Sequence, residues 1–235
     1  LQPETIAAMI RAGMDVARLN TSHGTLEEHV ESVHVVREVS GRLGKPVAVL
    51  MDLSGPKLRT GDTESGRLIE LSPGRELRLT NRAVAGNERL LSVEYPRLTE
   101  DVMAGERILL DDGKLELEVL RSSAEGLDCR VITGGLLGPH KGVSFPATNL
   151  TTPALTERDR ECIQAGLRAG VDYFGLSFVR DAADIARTRE YVGSLGEDVP
   201  IIAKIERRQA VENLDAVLAE ADGAARVGHH PVEHL

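Results

Sequence analysis

Asp15-Val16-Ala17-Arg18-Leu19-Asn20-Thr21-Ser22-His23-Gly24 reads as a short strand running into a turn. The first half has the apolar–polar alternation of a barrel strand, with Val16, Ala17 and Leu19 expected inside. The second half sets Asn20, Thr21, Ser22 and His23 against Gly24, a turn made almost wholly of oxygen and nitrogen donors. Arg18 lies just ahead of them. A guanidinium is a fork-shaped partner for phosphate, and parallel α/β folds place their active sites where strands end. The stretch is either the rim of such a site or a polar strand-to-helix loop with a helix cap.

Working outward, Ile6, Met9 and Ile10 recur at helical spacing between Pro3 and Gly13. Downstream, Thr25 and Glu28 make a capping box, in which hydroxyl and carboxylate satisfy free backbone donors at a helix start. Val30, Val33, Val36 and Val39 continue the buried face of that helix to Gly44. Val47 to Leu53 is a nearly unbroken apolar run with Asp52 near its end, the mark of a strand covered on both faces.

From Asp62 to about His140 the texture changes to short alternating runs, at Arg67–Leu71, Glu76–Leu79, Arg107–Leu110 and Lys114–Val119. Ser72-Pro73-Gly74 and the hairpin signal Asp111-Asp112-Gly113 separate them. Strand and helix then alternate again. Helices are expected over Thr156–Ala169, Asp181–Leu195 and Arg208–Ala221, the last with Val211, Leu214, Val217 and Leu218 inward. Strands are expected over Val171–Val179 and Val199–Glu206, with another beginning at Ala224–Val227. The expected architecture is α/β: a partial (β/α) TIM-type barrel over residues 1–61 and 142–235, with a small all-β domain inserted over 62–141.

Composition narrows the class. Hydrophobic residues make up 41% of the 235, aromatics only 3% with no Trp, so the core must be aliphatic. No run approaches a membrane span. A net charge of −9 argues against nucleic-acid binding while leaving room for local phosphate sites. The two cysteines, Cys129 and Cys162, lie far apart and in unlike contexts, which argues against a disulfide framework, and Cys162, on an expected helix, reads as buried packing. The absence of a basic-then-apolar leader makes a cytoplasmic location the expectation.

Five clusters can carry chemistry. Arg18, Asn20 and Ser22 form the first, and Asp52 followed by Ser54-Gly55-Pro56-Lys57-Leu58-Arg59 the second. Asp112 in the hairpin and Lys141 on the return limb form the third, although Asp112 on its own reads first as a turn residue. Ser177 ends a strand. Lys204 and Glu206, two apart on one expected strand, would point the same way. Such a lysine can neutralise a transferring phosphoryl group while the carboxylate holds a divalent cation; the pair can also be a plain ion pair. His29 and His34 read as core or helix-surface residues before they read as ligands.

These clusters, in this order, resemble the pyruvate kinase family. The matching stretches are Ala12–Gly24, Asp52–Gly61, Leu110–Gly113, Lys141–Pro146, Leu176–Arg180 and Ala203–Glu206. The resemblance implies a barrel with a β-rich lid and the reaction of phosphoenolpyruvate with ADP to give pyruvate and ATP, or a similar reaction on a related enol carboxylate. It implies that Arg18 and Arg59 contact nucleotide phosphates or the transferred group, with Asp112 and Lys141 as lid residues. Asn20, Ser22, Asp52 and the Leu53 carbonyl would form a K⁺ site, and Ser177 would bind substrate. Lys204 would stabilise phosphoryl group and enolate, and Glu206 would bind Mg²⁺ or Mn²⁺.

The sequence also departs from the family. Where the family has Ala-Arg-Gly-Asp-Leu-Gly, with a second carboxylate ligand, this chain reads Ala225-Arg226-Val227-Gly228-His229-His230. His229 is either a replacement ligand, which would shift preference away from magnesium, or a tail residue. Relative to the family, the first barrel strand, the last barrel strands and a C-terminal domain are expected to be missing. Open sheet edges would follow, and with them a homo-oligomer or a companion chain. Two alternative functions stay open: a non-catalytic binding or partner subunit, and a metal-dependent enolate lyase or aldolase.

Overall fold

The computed structural model describes residues 2–148 and 150–225. In chain order, α1 (Pro3–Arg11), β1 (Val16–Asn20), α2 (Leu26–Leu43) and β2 (Ala48–Leu53) come first. Then follow β3 (Ile69–Leu71), β4 (Glu76–Thr80), β5 (Leu90–Ser92), α3 (Leu98–Asp101), β6 (Arg107–Leu110), β7 (Leu115–Ser123), β8 (Gly126–Thr133), β9 (Gly135–Leu137) and β10 (Val143–Ser144). The last group is α4 (Glu157–Ala169), β11 (Tyr173–Leu176), α5 (Ala182–Ser194), β12 (Ile201–Lys204), α6 (Arg208–Glu212), α7 (Leu214–Glu220) and β13 (Gly223–Ala225). The described residues divide into two compact units, one built from the segment up to Pro56 and from Pro153–Ala225, the other from Lys57–Thr152. No helix among the described residues is long and apolar enough to cross a membrane.

The first unit is a parallel sheet in the order β1-β2-β11-β12-β13, a partial β/α barrel. Alternation sorts its side chains onto two faces. Ala17, Leu19, Val49, Met51, Leu53, Phe174, Leu176, Ile201 and Ala203 are buried in one core with Val33, Val36, Val39, Cys162 and Ile163 of the helices. Gly166 lets α4 approach closely, since a Cβ there would stand 2.9 Å from Met51 Sδ. The α2 capping box forms as expected, and Gly44 closes that helix in the left-handed conformation.

Several expectations need correction. Val16 is 50% exposed, because period two puts it with Arg18 and Asn20 on the face away from the helices. Leu218, expected inward, is likewise exposed. The strands expected over Val171–Val179 and Val199–Glu206 shorten to β11 and β12, since only those residues pair with neighbours. The last expected helix breaks at Asn213 into α6 and α7.

One device recurs at the starting end of this sheet. Asp172, just before β11, accepts from Val49 N of the neighbouring strand at 2.6 Å and from Arg37 of α2 at 2.7 Å. Asp222, just before β13, accepts from Ile201 N at 2.8 Å and from Arg189 of α5 at 2.9 Å. Each aspartate thus pairs an orphan strand donor with the preceding helix, which fixes strand register and leaves the opposite end free for chemistry.

The second unit is a six-stranded sheet in the order β10-β6-β7-β8-β4-β5, antiparallel except for β4 with β5, plus the β3–β9 pair. Its aliphatic core includes Leu79, Leu91, Ile108, Leu110, Leu117 and Leu127, with Tyr95 among them. The β6–β7 hairpin turns through Asp111, Asp112 and Gly113, all at positive φ, which explains the Asp-Asp-Gly sequence there.

At the start of α5, Asp184 is fully buried and accepts from the Arg180 backbone and guanidinium and from Arg187 at 2.5 Å. Burial pushes this carboxyl up, but the two guanidinia outweigh it and hold the group below the usual range. Its contribution to stability is therefore present above the unfolded value of about 4 and is lost as pH falls through the lower folded value. Asp184→Asn is expected to cost about 3 kcal/mol at pH 7 and to flatten the acid limb of the stability curve, as measured by urea unfolding across pH. A variant whose acid limb stays as steep as the parent's contradicts the assignment.

Candidate active site

The face of the parallel sheet opposite the helices carries the polar residues that the sequence singled out. Register places Asn20 of β1 beside Asp52 of β2, and Asp52 beside Gly175 of β11. Lys204 ends β12, one strand further on. A Cβ on Gly175 would lie 3.3 Å from Asp52 Oδ1. The glycine thus leaves open the path by which Lys204 reaches across β11 to Asp52.

Asp52 is the centre of the cluster. Its Oδ2 accepts from Arg18 Nε at 2.7 Å and lies 2.5 Å from an Arg18 Nη. Its Oδ1 faces Lys204 Nζ at 3.0 Å, a charge contact without an aligned hydrogen bond. Lys204 Nζ donates to Ser177 Oγ at 2.7 Å and stands 3.1 Å from Glu206 Oε1. Ser177 Oγ in turn donates to the Leu53 carbonyl at 2.5 Å. Two cations and two carboxylates thus balance at one strand end. Lys204 and Asp52 are buried, whereas Arg18 is half exposed.

The sequence puts Glu206 on one strand with Lys204, but β12 ends at Lys204 and Glu206 lies in the turn beyond. The two side chains still meet, because the Phe178 N–H holds Glu206 Oε2 at 3.0 Å. Phe178 has φ 56°, uncommon for a bulky residue, and its ring lies 5.2 Å from the Arg207 guanidinium. Nothing in the sequence marks this left-handed backbone residue. Thr21, one of the polar residues of the opening turn, has a partner that the sequence does not announce: its N–H and hydroxyl both donate to the Asp52 carbonyl, at 3.1 and 2.9 Å. Asn20 Oδ1 accepts from Ser22 N at 3.0 Å and so shapes the same turn.

The remaining expected site residues belong to the second unit. Arg59 donates to the His140 carbonyl at 2.9 Å. Lys141 pairs at 3.0 Å not with Asp112 but with Asp111, which also binds Lys114 at 2.9 Å. Lys114 first, then Lys141, hold the Asp111 carboxyl below its usual range. Asp112 is exposed on the same turn. His229 lies outside the described residues.

Among the described residues no three His, Cys, Asp or Glu side chains gather as a metal cluster. Glu206 is the carboxylate available at this rim, and a single carboxylate completed by water and substrate oxygens suits Mg²⁺ or Mn²⁺. Asp222 cannot join it, being held at the opposite end of the sheet by Ile201 N. Asn20, Ser22, Asp52 and the Leu53 carbonyl offer the hard oxygen donors a K⁺ ion takes, although Asp52 is shared with Arg18 and Lys204 and Leu53 with Ser177.

The family description "Pyruvate kinase, barrel domain" matches residues 1–228. Pyruvate kinase 2 of Synechocystis sp. is 42% identical over 224 residues, covering 94% of this chain and 38% of that protein. The pyruvate kinase of Thermococcus litoralis is 42% identical over 222 residues, covering 94% of this chain and 46% of that protein. That of Mycobacterium tuberculosis is 41% identical over 219 residues, covering 93% and 46% respectively. The chain thus spans less than half the length of these relatives. A match over nearly all of its own length, on a β/α sheet that brings Arg18, Asp52, Lys204 and Glu206 together, shows that the chain belongs to the pyruvate kinase family.

Proposed function

We propose that this rim serves phosphoryl transfer between phosphoenolpyruvate and ADP. The observation that carries the reading is the Lys204 ammonium, buried and held between Asp52, Ser177 and Glu206. In the reaction an ADP phosphate oxygen forms a bond to the phosphorus, the bond to the enol oxygen breaks, and the enolate takes a proton to become pyruvate. Such transfer needs positioning and charge neutralisation more than covalent help. Lys204 donates toward the transferring group and the enol oxygen as negative charge grows there. Arg18, half exposed, offers its fork to phosphate oxygens, and Ser177 fixes the lysine's direction.

Glu206 would hold Mg²⁺ or Mn²⁺, and Asn20, Ser22, Asp52 and the Leu53 carbonyl would hold K⁺. When bound, these ions supply charge neutralisation for substrate oxygens. In the same reading Arg59 and Lys141 bind nucleotide phosphates, and Asp112 acts beside them.

Three outcomes test this. In a lactate-dehydrogenase-coupled assay, Lys204→Ala and Glu206→Ala are each expected to lower kcat about 10³-fold. Nucleotide binding without turnover in the parent chain would favour a binding role instead. Arg59→Ala is expected to raise the KM for ADP about tenfold with a smaller change for phosphoenolpyruvate; an unchanged ADP KM removes Arg59 from the nucleotide site. Lys204→Met leaves Asp52 with one cation fewer and is expected to cost about 3 kcal/mol in denaturant unfolding, much of it recovered in the Asp52→Asn, Lys204→Met double variant. Strictly additive losses would mean that the two charges do not interact.

A further inference from the structure

Asp159, in the first turn of α4, is fully buried, and the mechanism above does not use it. Its Oδ2 completes the helix cap, accepting from Thr156 N at 2.9 Å and from Thr156 Oγ1 at 2.6 Å. The cap leaves Oδ1 to spare. That second oxygen accepts from Gly55 N at 3.2 Å, with Ser54 Oγ at 3.4 Å, in the turn that follows β2. One buried carboxylate therefore ties the start of α4 to the segment leaving the Asp52 strand.

The turn it holds abuts the active-site loop. Gly55 has φ +63°, and a Cβ there would stand 2.9 Å from Phe178 Cδ2 and 3.3 Å from Ser177 Cβ. The Gly55 backbone is thus a wall behind Ser177 and Phe178. These are the two residues whose hydroxyl and N–H orient Lys204 and Glu206. Phe178 keeps its left-handed backbone only because its surroundings over-determine it, and Gly55 is part of those surroundings.

We propose that Asp159 is a positioning residue of the site. Through Gly55 it holds Ser177–Phe178 in the conformation that aims the Phe178 N–H at Glu206. Relaxing that turn frees Phe178 to leave the left-handed region, and Glu206 then loses the donor that keeps it beside Lys204. The inference deepens the reading of Glu206 as a site carboxylate and rests on it for its functional meaning, but the relay itself is measurable without turnover.

The test is amide hydrogen exchange by NMR on the whole chain, reading Phe178 N–H against the amides of the α4 interior, in Asp159→Asn and in Gly55→Ala. The first variant turns an acceptor into an amide that must present a donor to one of its two partners. The second disturbs the same contact from the far side and leaves the α4 cap intact, so it serves even if Asp159→Asn does not fold. Phe178 exchange is expected to quicken about tenfold in both while α4 amides keep their parent rates in Gly55→Ala. Unchanged Phe178 exchange in Gly55→Ala overturns the proposal. So does acceleration in Asp159→Asn that Phe178 merely shares with all α4 amides, because Asp159 is then only a cap. A parallel Mn²⁺ titration separates the two readings: quickened Phe178 exchange with unchanged Mn²⁺ affinity supports the relay and counts against Glu206 as the metal carboxylate.

Discussion

A carboxylate buried at the end of a strand needs positive charge, and Asp52 obtains it from strands on either side of its own. Removing an ionised group from water costs several kcal/mol unless paired and hydrogen-bonded partners offset the loss. Arg18 meets that need from the adjacent strand, and Lys204 from a strand two places away. Adjacent strands lie about 4.8 Å apart, so the lysine has to cross β11 to make its contact. Gly175 stands in the path and offers no side chain to block it. This one requirement draws β1, β2, β11 and β12 into a common site.

The same charge logic carries over to the proposed transfer. Lys204 is shared among Asp52, Ser177 and Glu206, so its ammonium is fixed in direction before any substrate arrives. A pre-oriented donor loses little freedom during reaction, which is where electrostatic catalysis gains over water. The arrangement is supported from behind. Thr21 ties the first turn to the Asp52 carbonyl, Ser177 ties β11 to the Leu53 carbonyl, and Asp159 anchors the turn after β2. At the far end of the sheet, Asp172 and Asp222 fix strand register with the same strand-donor and arginine pairing.

Much of this was legible in the residues. Alternation in Ala17-Arg18-Leu19-Asn20 separates core from rim, and the capping box at Thr25 marks the start of α2. The motif residues Arg18, Asp52, Ser177, Lys204 and Glu206 do meet. What escaped the sequence has a common cause: it depends on which atoms face each other once strands are paired. Val16 looks like a core residue but lies on the polar face, because period two counts from Arg18. Glu206 reaches Lys204 through a turn and a backbone donor at positive φ, which no side-chain pattern announces. Asp111 rather than Asp112 takes Lys141, since the left-handed turn decides which of two neighbouring aspartates points inward. Asp159 is, in the sequence, one more residue of an expected helix, and its hold on Gly55 shows only in the structure.

The most direct test of the account is a crystal structure of the chain grown with Mn²⁺ and a non-transferable phosphoenolpyruvate analogue, with the metal located by anomalous scattering. A manganese peak is expected within about 2.5 Å of a Glu206 carboxylate oxygen, with the analogue's phosphorus group against Lys204. Manganese bound elsewhere, with Lys204 turned away from Asp52, would contradict it.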